Sequence, residues 1–431
     1  MAHPRSTLRP RQPRTRGFTL VELMVAVTGG LVVALAVFAI SRETGRFYNR
    51  ESRIADATMG AMIGFERLKA DVGRAGFLSS PNIRVDPNLC ADTATYPTLL
   101  QRLAPLRILP GASPASSSAH LQDNGLSPDE LLLMGSYTGA EVYPIWNIET
   151  VGATYVVYLQ TQTGPLGRMG YAASADQLGL LQSIFGAAPG RGLRIVDQSG
   201  EVQYATIQSV SAAPSAQIVL TQTPPLRFRS DAGNICGLKG NVTGATVNVV
   251  NFIRYDVRNI QTQSSLGANP AYDPIYVAGG HPYDLNTRFD LTRVELDTAG
   301  NAIAGTEELV TEYAVDFKLG ITVSNTNVTT QDQTLTQVAA GNIKDWAGDL
   351  VGDVTTPADG PHRVRAVRVR LSVRSQEPDR DSNPPPPVVG QVIRVGLGSG
   401  VGGGSGASPP YARVRTVQAD VALHNQTAVF Y

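Results

Sequence analysis

The chain has 431 residues, with 36 Lys+Arg balancing 36 Asp+Glu. A hydrophobic share of 42% against a charged share of 17% excludes a disordered polyelectrolyte and a charged coiled coil. Neutrality argues against a nucleic-acid partner, because phosphate binding needs a clustered basic excess.

Residues 1–17 hold five arginines (Arg5, Arg9, Arg11, Arg14, Arg16), three prolines and no acid, a leader that cannot bury a core. The next 23 residues, Phe18 to Ile40, are apolar with a single charge, Glu22. At about 1.5 Å per residue they span about 34 Å as a helix, enough for a hydrocarbon core of about 30 Å. A cleaved secretory signal is the rival reading. It fits poorly, because the run exceeds the usual apolar region of about 7–15 residues and no small-residue cleavage site follows. The acid-free leader places itself in the cytoplasm and the rest of the chain outside, a bias weakened by Arg42, Arg46, Arg50 and Arg53.

Beyond the span, Ile54, Thr58, Ala61, Phe65, Leu68 and Val72 recur at spacings of 4, 3, 4, 3 and 4, one stripe of a helix. Arg53, Asp56, Glu66, Arg67 and Lys69 lie opposite. Gly60 and Gly64 each weaken this helix by about 1 kcal/mol relative to alanine, so packing must hold it. Gly73 and Gly76 end the pattern. The Gly29-Gly30 pair marks either a local bend or close helix packing.

From residue 77 strand signals dominate, at Glu130–Gly135, Ala153–Gln160, Leu193–Asp197, Val202–Val210, Gln217–Thr221, Val247–Asp256, Arg293–Leu296, Leu309–Leu319, Arg363–Val373 and Ala412–Leu423. The alternation of arginine with aliphatics over Arg363–Arg374 reads as a half-buried strand with a polar outer face, in preference to a nucleic-acid-binding row. Segments 111–128, 324–337 and 376–410 read as weakly structured insertions. The expected fold class is α+β: a long N-terminal helix, then a β-rich head over 74–431.

Chemistry is sparse. No two histidines have metal-ligand spacing, and there is no Gly-x-Ser-x-Gly elbow, Walker loop or Cys-x-x-Cys. The run Asp379-Arg380-Asp381-Ser382-Asn383 starts like a calcium loop, but Pro384 stands where the sharp-turn glycine belongs. Neither an enzyme nor a cofactor or metal is expected.

The junction Arg16-Gly17-Phe18-Thr19-Leu20-Val21-Glu22-Leu23 resembles the prepilin signature of type IV pilins and type II secretion pseudopilins. The resemblance implies cleavage between Gly17 and Phe18 by a prepilin peptidase, N-methylation of Phe18, and an assembly role for Glu22 against the N-terminus of a neighbouring subunit. It divides the chain into a leader (1–17), a transmembrane half of the spine helix (18–40), an amphipathic half (41–73) and a globular head (74–431).

Further pieces resemble the PilW branch of minor pilins. They are Arg67–Phe77 after the spine, Leu193–Asp197 leading into Thr206–Val210, and Leu291–Leu296 followed by Glu308–Val310 and Val315–Phe317. Val367–Arg374 and the closing Val421–Asn425 complete the set. The long insertions, and His424 where that branch suggests arginine, are departures. The branch implies a subunit of the pilus or its tip and priming complex that promotes assembly, with roles in adhesion or twitching motility. Its partners would be other minor and major pilins, the peptidase, the inner-membrane assembly platform and, in some systems, a tip adhesin. It would lie in the inner membrane with its head outside the cytoplasm, then in the pilus at the cell surface. The rival functions are a type II secretion pseudopilin, and a tip adhesin or DNA-uptake receptor.

Cys90 and Cys236 are the two cysteines. In a head exported to an oxidising space two thiols tend to pair, closing a loop of roughly 145 residues and constraining the unfolded chain by about 5 kcal/mol. Two separate buried thiols are the alternative.

Overall fold

The computed structural model describes residues 17, 19–90, 93–229, 236–238, 244–268, 287–326, 333–347, 360–376, 378, 392–397 and 411–426. The chain divides into two units, Met1–Ala55 and Asp56–Tyr431. Helix α1, Leu20–Arg74, contributes to both. Its stretch Leu20–Gly45 is long and apolar enough to cross a membrane, and its large hydrophobic side chains from Leu20 to Ile40 are exposed. The chain is thus α+β, an N-terminal apolar helix followed by a β-rich unit of antiparallel sheets.

The second unit is organised by one strand. β1 (Leu106–Leu109), β2 (Glu130–Gly135), β3 (Tyr143–Val151), β4 (Thr154–Leu159), β5 (Gly192–Val196), β6 (Val202–Ser211) and β7 (Gln217–Thr221) precede β8 (Thr246–Arg258). The N-terminal end of β8 pairs with β3 on one side and β5 on the other. With β3–β4, β4–β7, β7–β6 and β6–β5 also paired, six strands close into a ring. Closure removes free edges, and alternate side chains such as Ile145, Val157, Ile195, Ile207, Ile218 and Val247 fill the interior.

The C-terminal end of β8 leaves the ring and lies between β2 and β9 (Asp290–Leu296), which pairs with β10 (Glu308–Thr311). This sheet is covered on both faces. Leu131 and Leu133 of β2 enter one core with Ile253 and Tyr255, whereas Leu132 and Met134 enter another with Phe252 and Leu100. Double coverage explains why Leu131–Met134 is an unbroken apolar run.

A five-stranded sheet has the order β12-β11-β13-β15-β14. Its strands are β11 (Ala314–Thr326), β12 (Gln333–Gln337), β13 (Val364–Arg374), β14 (Arg394–Gly396) and β15 (Tyr411–Ala422). Its apolar face, with Phe317, Ile321, Val367, Val369 and Leu371, shares the first core with Ala61, Phe65, Leu68 and Val72 of α1. Of the stripe expected from spacing, Ala61, Phe65, Leu68 and Val72 are buried and Thr58 is half-buried; the Ile54 side chain lies outside the described residues.

Several expectations need correction. Leu309–Leu319 is two strands, because Tyr313 takes the left-handed φ of 55° and turns the chain between β10 and β11. Segment 111–128 is not weakly structured: Ala115, Leu121 and Leu126 are buried, and α2 (Ala119–Asp123) forms there. Within 324–337, β11 extends to Thr326 and Gln333–Gln337 pairs with it as β12. Within 376–410, Arg394–Gly396 pairs with β15. The strands β1 and β3 were not expected. Asp379–Asn383 lies outside the described residues.

Candidate functional site

Gly17 is exposed, and a Cβ built there meets nothing within 4 Å. No packing demand of the described fold therefore requires glycine at this position. Phe18 lies outside the described residues.

Glu22 is tied to the start of its own helix. Thr19 precedes the first helical residue, and its backbone N–H and hydroxyl each donate to Glu22 Oε2 at 3.0 Å. In return the Glu22 N–H donates to Thr19 Oγ1 at 3.2 Å. This reciprocal pair is a capping box, which satisfies backbone donors that a helix start leaves open and sets a carboxylate against the positive end of the helix dipole. The Thr19-x-x-Glu22 spacing carried that signal in the sequence, and the motif reading overlooked it.

At its other end α1 is seated on the β-rich unit by a buried carboxylate. Asp71 Oδ2 accepts from Arg293 Nε at 2.8 Å and from the Tyr255 hydroxyl at 2.7 Å. The Tyr137 hydroxyl donates to the Asp71 carbonyl at 3.0 Å. Burial opposes the charge of Arg293, but the hydrogen bond and charge of Asp71 outweigh it and hold the guanidinium pKa above its ordinary value. Burial first, then the Asp71 charge, push the Tyr255 hydroxyl up, so it stays protonated as a donor. Close approach is allowed by Gly64: a Cβ there would lie 1.8 Å from Thr311 Oγ1 and 2.6 Å from the Val310 carbonyl oxygen.

Cys90 and Cys236 form a disulfide, with Cα atoms 5.3 Å apart and a sequence separation of 146. Cys90 is buried, and its N–H donates to the Val202 carbonyl at 3.2 Å, fixing the segment after α1 to β6. Glu201 lies beside the bridge, accepting from the Gly237 N–H at 3.1 Å and pairing with Arg229. The two sulfurs and a Glu201 oxygen lie within 4.8 Å of one another. Since both sulfurs are in the bond, neither is a thiolate, and the trio lacks the donors of a metal site.

The arginine-rich β13 is a half-buried strand. Arg368 pairs with Asp420 at 2.7 Å and Arg370 with Asp316 at 3.0 Å, while Arg374 is buried with its guanidinium 4.7 Å from the Tyr313 ring centroid. The arginines thus serve the sheet and its neighbours.

Compared with known proteins, the chain matches no family model, no curated protein and no solved structure.

Proposed function

We propose that this protein is a minor type IV pilin of the PilW type. It is made as a membrane-inserted precursor, cleaved after Gly17, methylated on Phe18 and incorporated into a pilus or its priming complex. The observation that carries the reading is the unequal burial of α1. Its N-terminal stretch exposes apolar side chains from Leu20 to Ile40, and exposure recurs at Phe47, Tyr48, Met59, Met62 and Ile63. That extends past the 26 residues that suffice for a bilayer, leaving apolar surface for helices of neighbouring subunits. The same helix is gripped from Ala61 to Val72 by the β-rich unit. A glycine that packing does not need, set before a capped helix carrying Glu22, adds the processing junction.

On this reading the protein works through its surfaces. Before assembly it sits in the inner membrane with the β-rich unit outside the cytoplasm, and afterwards in the pilus with other major and minor pilins. Mass spectrometry of the mature protein should find methylated Phe18 at the N-terminus; a chain beginning elsewhere overturns the reading. Glu22→Ala should leave insertion and cleavage intact, since it makes the helix more apolar, while incorporation into pili falls sharply. A variant that is processed and supports piliation like the parent would remove Glu22 from assembly.

A further inference from the structure

β3 and β4 form one side of the six-stranded ring, and their register slips between Ile145 and Asn147, leaving Trp146 as an extra residue in β3. A bulge re-aims side chains. Tyr143, Ile145 and Ile148 fill the ring interior, whereas Trp146 stays 43% exposed and Asn147 and Glu149 reach solvent. Trp146 lies against Tyr158 of β4, with ring centroids 5.0 Å apart and planes inclined at 43°. Alongside, the Tyr158 hydroxyl donates to Glu149 Oε2 at 3.0 Å and Asn147 Nδ2 donates to Oε1 at 2.8 Å. The bond to Glu149 is the main cause holding the Tyr158 hydroxyl pKa above its ordinary value, so it remains a donor. In register with Tyr158 on β7 is Gln217, whose amide donates to Ser215 Oγ at 2.9 Å.

We propose that this outer face of the ring binds carbohydrate, a pyranose stacking its C–H face on Trp146 beside Tyr158 while its hydroxyls bond Glu149, Asn147 and Gln217. The negative face of an aromatic ring attracts polarised C–H groups. A carboxylate already oriented by two donors keeps lone pairs for sugar hydroxyls, and such charge-assisted bonds are short and strong. A nucleic acid is disfavoured because Glu149 would face its phosphates. A protein partner is disfavoured because an aromatic hot spot is ordinarily ringed by groups that exclude water. Here the amides of Asn147 and Gln217 are in register with Tyr158, and the carboxylate of Glu149 is hydrogen-bonded to it. The proposal stands on the ring alone and does not depend on the pilin reading.

The test uses the full chain in detergent, passed over immobilised glucose-, galactose-, mannose- and N-acetylhexosamine-terminated oligosaccharides. Because Trp146 and Trp346 are the two tryptophans, a Trp346→Phe background makes indole fluorescence a direct reporter of Trp146. At least one sugar class should be retained and shift that fluorescence. Trp146→Ala should weaken retention at least tenfold, Trp146→Phe less, and Glu149→Gln severalfold, with the thermal midpoint unchanged for the last two. The proposal is overturned if the parent retains no sugar, or if Trp146→Phe and Glu149→Gln both bind like the parent. It is equally overturned if the face captures pilus proteins through Trp146 while every sugar washes through.

Discussion

α1 is one helix of 55 residues whose two stretches keep their order by different means. Up to Ala55, the large apolar side chains that are described are exposed, and among the described residues the Thr19–Glu22 cap supports the backbone bonds of the helix. From Asp56 onward a narrow stripe is buried, one carboxylate is locked to two sheet side chains, and one glycine permits contact with β10. The first stretch is a surface awaiting apolar surroundings, and the second is part of a core. Substitutions that are silent in one should be costly in the other.

The largest effect should come from Asp71. Asp71→Ala leaves the buried Arg293 guanidinium and Tyr255 hydroxyl without their shared acceptor, and removing one partner of such a pair costs about 3–5 kcal/mol. Thermal or denaturant unfolding of the full chain in detergent should show the loss in the β-rich unit, with the helical signal of the apolar stretch retained. An unchanged midpoint would mean that apolar packing alone seats the helix.

Acid should separate the units as well. Burial is the main cause lowering the pKa of both His120 and His362 to about 4 from an ordinary 6.5. The unfolded chain therefore takes up these protons first as pH falls, so stability present above about pH 6.5 is lost towards pH 4. Discounted for partial solvent contact, the two together amount to about 2 kcal/mol. The midpoint of the β-rich unit should fall across that window, and a His120→Gln/His362→Gln chain should fall less. A midpoint flat in the parent would show that neither ring is held neutral.

The contrast within α1 also accounts for what the sequence disclosed. Leu20–Ile40 is legible from composition, since nothing distant has to meet it. The stripe at Ala61, Phe65, Leu68 and Val72 is legible from spacing, but its partners are not: Arg293 lies 222 positions from Asp71. β8 reads as a strand, yet no local pattern says that its N-terminal end closes a ring while its C-terminal end enters another sheet. β3 escaped notice because the bulge at Trp146 breaks its period of two, and the same bulge hid the exposed aromatic pair. β14 and β12 are short and carry little apolar signal. The disulfide was legible from the expectation of an exported head and an even cysteine count, whereas the capping box was in plain view and missed.

The smallest effects are the sharpest, because two glycines four residues apart on one helix should respond with opposite signs. Both were expected to weaken α1 through intrinsic propensity, by about 1 kcal/mol each. At Gly64 the structure supplies a reason to keep that weakness. A Cβ would collide with the Thr311 side chain and the Val310 carbonyl; the side chain could rotate, but the carbonyl belongs to β10 and could move only with the strand. Overpacking of this kind costs about 1–3 kcal/mol, so Gly64→Ala should be destabilising by up to about 2 kcal/mol after the propensity gain is subtracted. At Gly60 a Cβ meets nothing within 4 Å, and the position is exposed. Gly60→Ala should therefore keep the whole propensity gain and stabilise by up to about 1 kcal/mol. Paired denaturant titrations of the two variants decide it. If both stabilise, α1 does not approach β10 as closely as the Gly64 contact requires; if both destabilise, the face of α1 at Gly60 is covered in the folded chain. Opposite signs would locate, to within one turn of helix, where the exposed side of α1 gives way to its seat.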